Sequence, residues 1–268
     1  MNRRSLVLAL LLVAPLGCGD TTGSQRVTFA VEAAGIARDA TQPLTFTTDQ
    51  GWTITLTEAR MALGPLYLNT LRPLESDRRS PLRRHIEDFL IPSAWADGES
   101  HLGAGRIVAQ VTTQSEIDVL DPTLTALPGG GDGIDEAALT AEAWFFNRDG
   151  ALGGAAVRVA GTARKDDQEI PFAGALVIDA SVVSTGGSLD EARKVRGIPA
   201  SVTPTEGGAL RVRLDPRGWF DGADFRELAL GTLRDGRYRF TPLDNVGRAF
   251  LSRSRARAVF AITFSPTR

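Results

Sequence analysis

Cysteine and histidine are nearly missing from this chain, with one of the first and two of the second among 268 residues. A lone cysteine closes no disulfide within the chain and builds no multi-cysteine zinc shell or iron–sulfur cluster. His85 and His101 are the only histidine bases. Nucleophilic hydrolysis therefore has little to draw on, and no G-x-S-x-G elbow occurs anywhere. No glycine-rich turn leads into a helix and no strand–helix alternation appears, which speaks against a nucleotide-binding α/β fold. The two carboxylates of a glycosidase could come from the 32 acidic residues, but no spacing selects a pair. The chain is not expected to be an enzyme.

Long apolar runs are also lacking. The N-terminus reads "MNRRSLVLALLLVAPLGCGD", with Arg3 and Arg4 ahead of an apolar stretch, Leu6 to Val13, too short to span a membrane. That pattern is an export signal. Leu16-Gly17-Cys18 then resembles the lipobox of bacterial lipoproteins, with Pro15 standing where that family has an aliphatic residue. The resemblance implies that residues 1–17 are removed, that Cys18 carries lipid, and that residues 18–25 tether the chain to a membrane. Gly19 rather than an aspartate follows the cysteine, which favours the outer over the inner membrane of the cell envelope. The folded part then holds no thiol, so a cysteine nucleophile is excluded as well. Without Arg3 and Arg4 the 30 basic side chains fall to 28 against 32 acidic ones, a formal net charge of −4. Such a surface is ordinary for a soluble domain and argues against a nucleic-acid partner.

What the chain does have is period-two alternation. Val27, Phe29 and Val31 share one face, as do Trp52, Ile54 and Leu56, with Thr53, Thr55 and Thr57 opposite. Phe172, Gly174, Leu176 and Ile178 repeat the pattern, as do Leu210, Val212 and Leu214, and finally Ala258, Phe260, Ile262 and Phe264. Each fits a half-buried strand. Turn signals lie between them: Asp-Gly at 149–150 and 235–236, Gly-Gly at 186–187 and 207–208, and proline corners at 199 and 204. Residues 135–145 suit a strand ending in a tight turn better than a helix. One short helix is expected at 188–197, with Ser188 as N-cap, Glu191 completing a capping box and Gly197 stopping it. The expected fold is an all-β antiparallel sandwich over residues 26–268, with few short helices. The composition shift at 127–136 marks either a boundary between two packed β subdomains or a long loop within one sandwich.

Two acidic, glycine-rich loops offer oxygen donors for calcium: Asp132, Asp135 and Glu136 in "GGGDGIDE", and Asp215, Asp221 and Asp224 in "DPRGWFDGADF". Neither matches an EF-hand, and Asp/Gly clusters commonly shape turns. The run "SRSRAR" (252–257) places Arg253, Arg255 and Arg257 on one side of an extended segment, either facing an anion or forming a solvated strand face.

Several phrases recur together: "WTITLTEARMALGPLYL" (52–68), the stretch around His101, "PFAGALVIDASV" (171–182), "DPRGWFDGADF" (215–225) and "RARAVFAITF" (255–264). In this order, over most of the mature chain, they resemble a group of uncharacterised exported lipoproteins of the myxobacterial type. The middle stretch of that group is histidine-rich, H-P-G-H-Y followed by glycine, and is distantly similar to periplasmic copper-associated P proteins of methanobactin clusters. His101 matches the first histidine and Gly103 the glycine, while Leu102 replaces the proline and Ala104 the second histidine. The resemblance implies a degenerate copper site at His101, which would need Asp97, Glu99 or His85 as further donors. Trp219 and Phe220 either pack a corner of the sandwich or form an aromatic platform. The expected function is that of a lipid-anchored envelope binding protein that handles metal. The alternative is a surface-interaction or carbohydrate-binding module drawing on Trp52, Trp95, Trp144 or Trp219, with a protein or glycan partner.

Overall fold

The alternating stretches are strands. The structure, a computed structural model, describes residues 24–71, 106–145, 152–183 and 188–267. In chain order these form β1 (Arg26–Gly35), β2 (Leu44–Thr47), β3 (Thr53–Leu63), β4 (Leu66–Asn69), β5 (Ile107–Val111), β6 (Ser115–Asp118), β7 (Thr125–Ala126) and β8 (Gly131–Ile134). There follow β9 (Ala138–Trp144), β10 (Val157–Lys165), β11 (Gln168–Leu176), β12 (Lys194–Val202), β13 (Ala209–Leu214), β14 (Leu233–Arg234), β15 (Arg237–Phe240) and β16 (Phe260–Ser265). Three short helices interrupt them: α1 (Leu189–Ala192), α2 (Phe225–Leu228) and α3 (Asn245–Arg253).

Two sheets pack together, as expected of a sandwich. The first runs β12-β9-β4-β5-β8-β1-β13-β16, with β7 added beside β1; the second runs β14-β15-β11-β10-β3-β2, with β6 beside β3. Both are mixed rather than purely antiparallel, because β1 pairs parallel with β13 and β11 parallel with β15. Alternation fixes which side of a strand is buried, but it carries no information about the direction of its neighbour. The 127–136 stretch contains β8, which lies inside the first sheet between β5 and β1.

The apolar faces meet as the alternation requires. Val27, Phe29, Val31, Trp52, Ile54, Leu56, Phe172, Leu176, Leu210, Val212 and Leu214 are all buried in one core. Between the inner face of the second sheet and the 215–253 region lies an aromatic cluster. Phe172 meets Phe225 at 5.0 Å between ring centroids, Phe220 stacks on Phe250 at 5.4 Å, and Phe240 meets Phe250 at 5.2 Å. Pairs of this kind add about 0.5–1.5 kcal/mol each beyond their buried area.

Three local expectations are corrected. The helix at 188–197 is a single turn: Ser188 stands at the N-cap as expected but makes no side-chain cap bond, Glu191 pairs with Arg196 at 2.8 Å and Lys194 at 3.5 Å, and Lys194 already opens β12. Pairing with β9 claims these residues, so Gly197 falls inside a strand, beside a register shift, instead of ending a helix. Pro199 is likewise within β12 and not at a corner; an edge strand tolerates its missing N–H. "SRSRAR" is not a strand, since α3 ends at Arg253 and a 3-10 turn covers Arg257–Val259. Of the turn signals, Asp235 and Gly236 have φ of 52° and 74° and join β14 to β15. Two consecutive left-handed residues define the type I′ hairpin, for which Asp-Gly is a preferred pair. The pairs at 149–150 and 186–187 lie outside the described residues.

The two ends of the first sheet come back toward each other, β12 approaching β16. No ladder joins them. Instead Arg257 Nε donates to the Arg196 carbonyl at 2.9 Å, and Arg255 Nη2 to the carbonyls of Lys194 at 3.1 Å and Glu191 at 3.3 Å. Lys194 and Arg196 are alternate residues of an extended strand, so their carbonyls point the same way. Burial pulls the Arg255 guanidinium below its ordinary pKa.

Candidate functional site

On the outer face of the second sheet, strand order places four elements side by side. The register aligns Arg239 of β15 with Ala173 of β11, Ala173 with Ala160 of β10, and Ala160 with Glu58 of β3. Adjacent strands lie about 4.8 Å apart, so this row is about 14 Å long. The middle positions carry only methyl groups, while long side chains stand at the ends. The result is a trough of about 500 Å³ lined by Glu58, Arg158, Ala173, Ala175, Arg237 and Arg239, with Thr241 and Pro242 beside them.

Local sequence explains each placement. In "RYRF", alternation sends Tyr238 and Phe240 inward and Arg237 and Arg239 outward. Phe240 fixes β15 against β11 because its ring lies over Gly174, where a Cβ would come within 2.1 Å of the ring. Arg158 alternates with Val157 and Val159, which are buried. Among the described residues Arg158 and Arg237 form no ion pair, and Arg239 has only an exposed contact to Asp235 at 3.3 Å. Glu58 is the one carboxylate in the lining. Three guanidinium groups and one carboxylate thus surround a floor without bulk or charge.

A second hollow of about 510 Å³ lies on the first sheet, between Arg26, Ile107, Gln110 and Asp132. Two of its polar groups engage each other, Gln110 Nε2 donating to Asp132 at 3.3 Å.

The residues singled out from sequence are placed as follows. Cys18, His85, Trp95, Asp97, Glu99 and His101 lie outside the described residues. Among the described residues, no three histidine, cysteine or acidic side chains stand where they could hold a metal ion. In the first acidic loop Asp135 accepts from the Gln25 N–H at 2.6 Å, and Glu136 pairs with Arg106. In the second, Asp215 pairs with Arg217 at 2.6 Å, and Asp224 caps α2 and pairs with Arg226 at 2.6 Å. That hydrogen bond from Arg226 holds the Asp224 carboxyl below its usual range. Asp221 sits in the turn after Phe220, its N–H donating to the Gly218 carbonyl at 3.3 Å. These acids serve separate turns and arginines, as Asp residues in tight loops commonly do.

Trp52, Trp219 and Phe220 are buried, so none of them is a surface platform. Trp144 is half-buried, with the Lys194 ammonium 4.5 Å from its ring and its indole N–H on Glu142. Arg255 and Arg257 are occupied by backbone carbonyls, as described above. The trough arginines went unnoticed in sequence. Their only local sign is the Arg-x-Arg alternation at 237–239.

No protein family, characterised protein or solved structure matches this chain.

Proposed function

We propose that the protein is a lipid-anchored envelope protein that binds without catalysing, and that its ligand is an acidic glycan held in the arginine-walled trough. The observation that carries this reading is the set Arg158, Arg237 and Arg239 above the alanine floor. A guanidinium presents its donors as a planar fork that meets carboxylate or sulfate oxygens two at a time. Among the described residues Arg158 and Arg237 have no ion-pair partner and Arg239 has only its exposed contact to Asp235, so their forks can turn to a ligand, and a floor of methyl groups lets a sugar ring approach the sheet. A trough about 14 Å long suits a chain of rings better than a single small anion. Glu58 at the far end would orient the ligand by accepting from a hydroxyl.

The test is binding of polygalacturonate and of a neutral galactan to the full chain, by titration calorimetry. Polygalacturonate should bind and galactan should not. Arg158→Ala should weaken binding at least tenfold, since a charge-assisted hydrogen bond contributes about 1.5–3 kcal/mol. Equal binding of both polymers, or no effect of Arg158→Ala, would sink the reading.

A further inference from the structure

The hairpin β14–β15 forms one end of the second sheet, with β15 paired to β11 and β14 outermost. Every residue from Leu230 to Arg237 is exposed. Six large hydrophobic side chains are exposed among the described residues, and three of them fall within 230–243: Leu230 at 87%, Leu233 at 52% and Leu243 at 77%. A single exposed leucine needs no explanation. Three in one short stretch, two of them almost wholly in water, are a different matter. The same stretch carries Arg234, Arg237 and Arg239 against one acid, Asp235, on a chain whose overall charge is negative. Leu233 lies opposite Tyr238 and Arg234 opposite Arg237, so the leucine and the arginines leave the ribbon on opposite faces.

We propose that this hairpin, with Leu230 and Leu243 on either side, docks on an anionic phospholipid bilayer. The leucines enter the boundary between headgroups and acyl chains. Arg234, whose apolar stem can lie along that boundary, reaches the phosphates. Charge complementarity selects this partner over an apolar protein groove, since neighbouring guanidinium groups resist burial against an apolar surface. The geometry of anchoring adds to it, and here the inference rests on the lipid-anchored reading above. Residues 18–25 can extend at most about 28 Å. The longest strand, β3, is itself about 36 Å long. A tether shorter than the body keeps the body against the membrane, and the hairpin offers the side to rest on.

The test exploits the single cysteine. In a full chain carrying Cys18→Ser, Leu233→Cys is labelled with an environment-sensitive fluorophore, and Ser201→Cys on β12 serves as the control. Vesicles of phosphatidylglycerol with phosphatidylcholine should shift the emission of the label at 233 to the blue and leave the label at 201 unchanged. Pure phosphatidylcholine should move neither. Arg234→Gln should weaken vesicle binding about fivefold. Leu230→Ser together with Leu243→Ser should abolish the shift. No shift at 233, or equal shifts at both positions, overturns the proposal. Because Cys18 is absent from these chains, failure here leaves the anchoring reading standing, and failure of anchoring leaves this result intact. Arg234 does not line the trough, so glycan binding is read separately.

Discussion

The ring of Phe240 lies so close over Gly174 that a side chain as small as a methyl group at 174 would overlap it. This contact holds β15 in parallel register on β11 and thereby sets Arg237 and Arg239 beside Arg158. Gly174→Ala should therefore destabilise the fold by about 1–3 kcal/mol, the usual cost of forced overpacking. In thermal unfolding that is a fall of several degrees. Adding Phe240→Leu should recover part of the loss. Without such recovery, the Phe240–Gly174 contact is not what places β15.

The arginine clasp between β12 and the approach to β16 makes a second claim. Arg255→Met keeps the apolar stem but leaves the carbonyls of Glu191 and Lys194 without this donor. We expect a loss of about 1–2 kcal/mol, the charge-assisted bonds being partly offset by the relief of burying a guanidinium. Arg255→Lys should fall between the two. A methionine variant as stable as the parent would show that the clasp adds nothing.

Acid sensitivity should be traceable to Glu206. Its carboxylate accepts from the Thr28 backbone N–H at 2.6 Å and the Thr28 hydroxyl at 2.9 Å, and the backbone bond first, then the hydroxyl, lowers its pKa below 4.5. A group whose pKa is depressed by folding stabilises the native state above its unfolded pKa. That contribution is lost as pH falls through the folded value. Glu206→Gln should accordingly lower the melting temperature at neutral pH, with the difference shrinking below about pH 4 and vanishing in stronger acid. A constant difference from pH 7 to pH 2 would contradict this.

Anchoring has a direct readout. After a high-salt wash, which releases contacts made only by arginines, Cys18→Ala should leave the membrane fraction for the soluble fraction, and retention through the wash would rule out lipid on Cys18 as the anchor.

The metal-handling alternative has its own signature. If His101, with Asp97, Glu99 or His85, binds copper, adding copper should raise the melting temperature, by about 2.7 kcal/mol of stabilisation at a hundredfold excess over the dissociation constant. His101→Ala should remove that rise. A rise with calcium alone would point to the acidic loops instead, and no change with any metal would leave His101 without a metal role.

Much of the architecture is legible in single segments. Val27-Thr28-Phe29-Ala30-Val31 has only one way to bury its large side chains, and it becomes a strand with those residues inside. Asp235-Gly236 announces its hairpin in two letters. The trough is not legible in this way. It needs Arg158 from one strand and Arg237 and Arg239 from another nearly eighty residues later, joined through a parallel pairing of β11 with β15 that leaves no local trace. The helix expected at 188–197 is cut to one turn, Leu189–Ala192, for a related reason. Local capping preferences contribute on the order of 1 kcal/mol, and strand pairing with β9 outweighs them.

The seam between β12 and β16 has a consequence for crowding. A sheet that ends in bare carbonyls invites another chain to add a strand. Here the guanidinium groups of Arg255 and Arg257 already occupy carbonyls of that edge. If the chain is tethered as proposed, its copies on one bilayer meet repeatedly, edge against edge, in two dimensions. For such copies this fastening works as insulation: they collide without zipping into fibres.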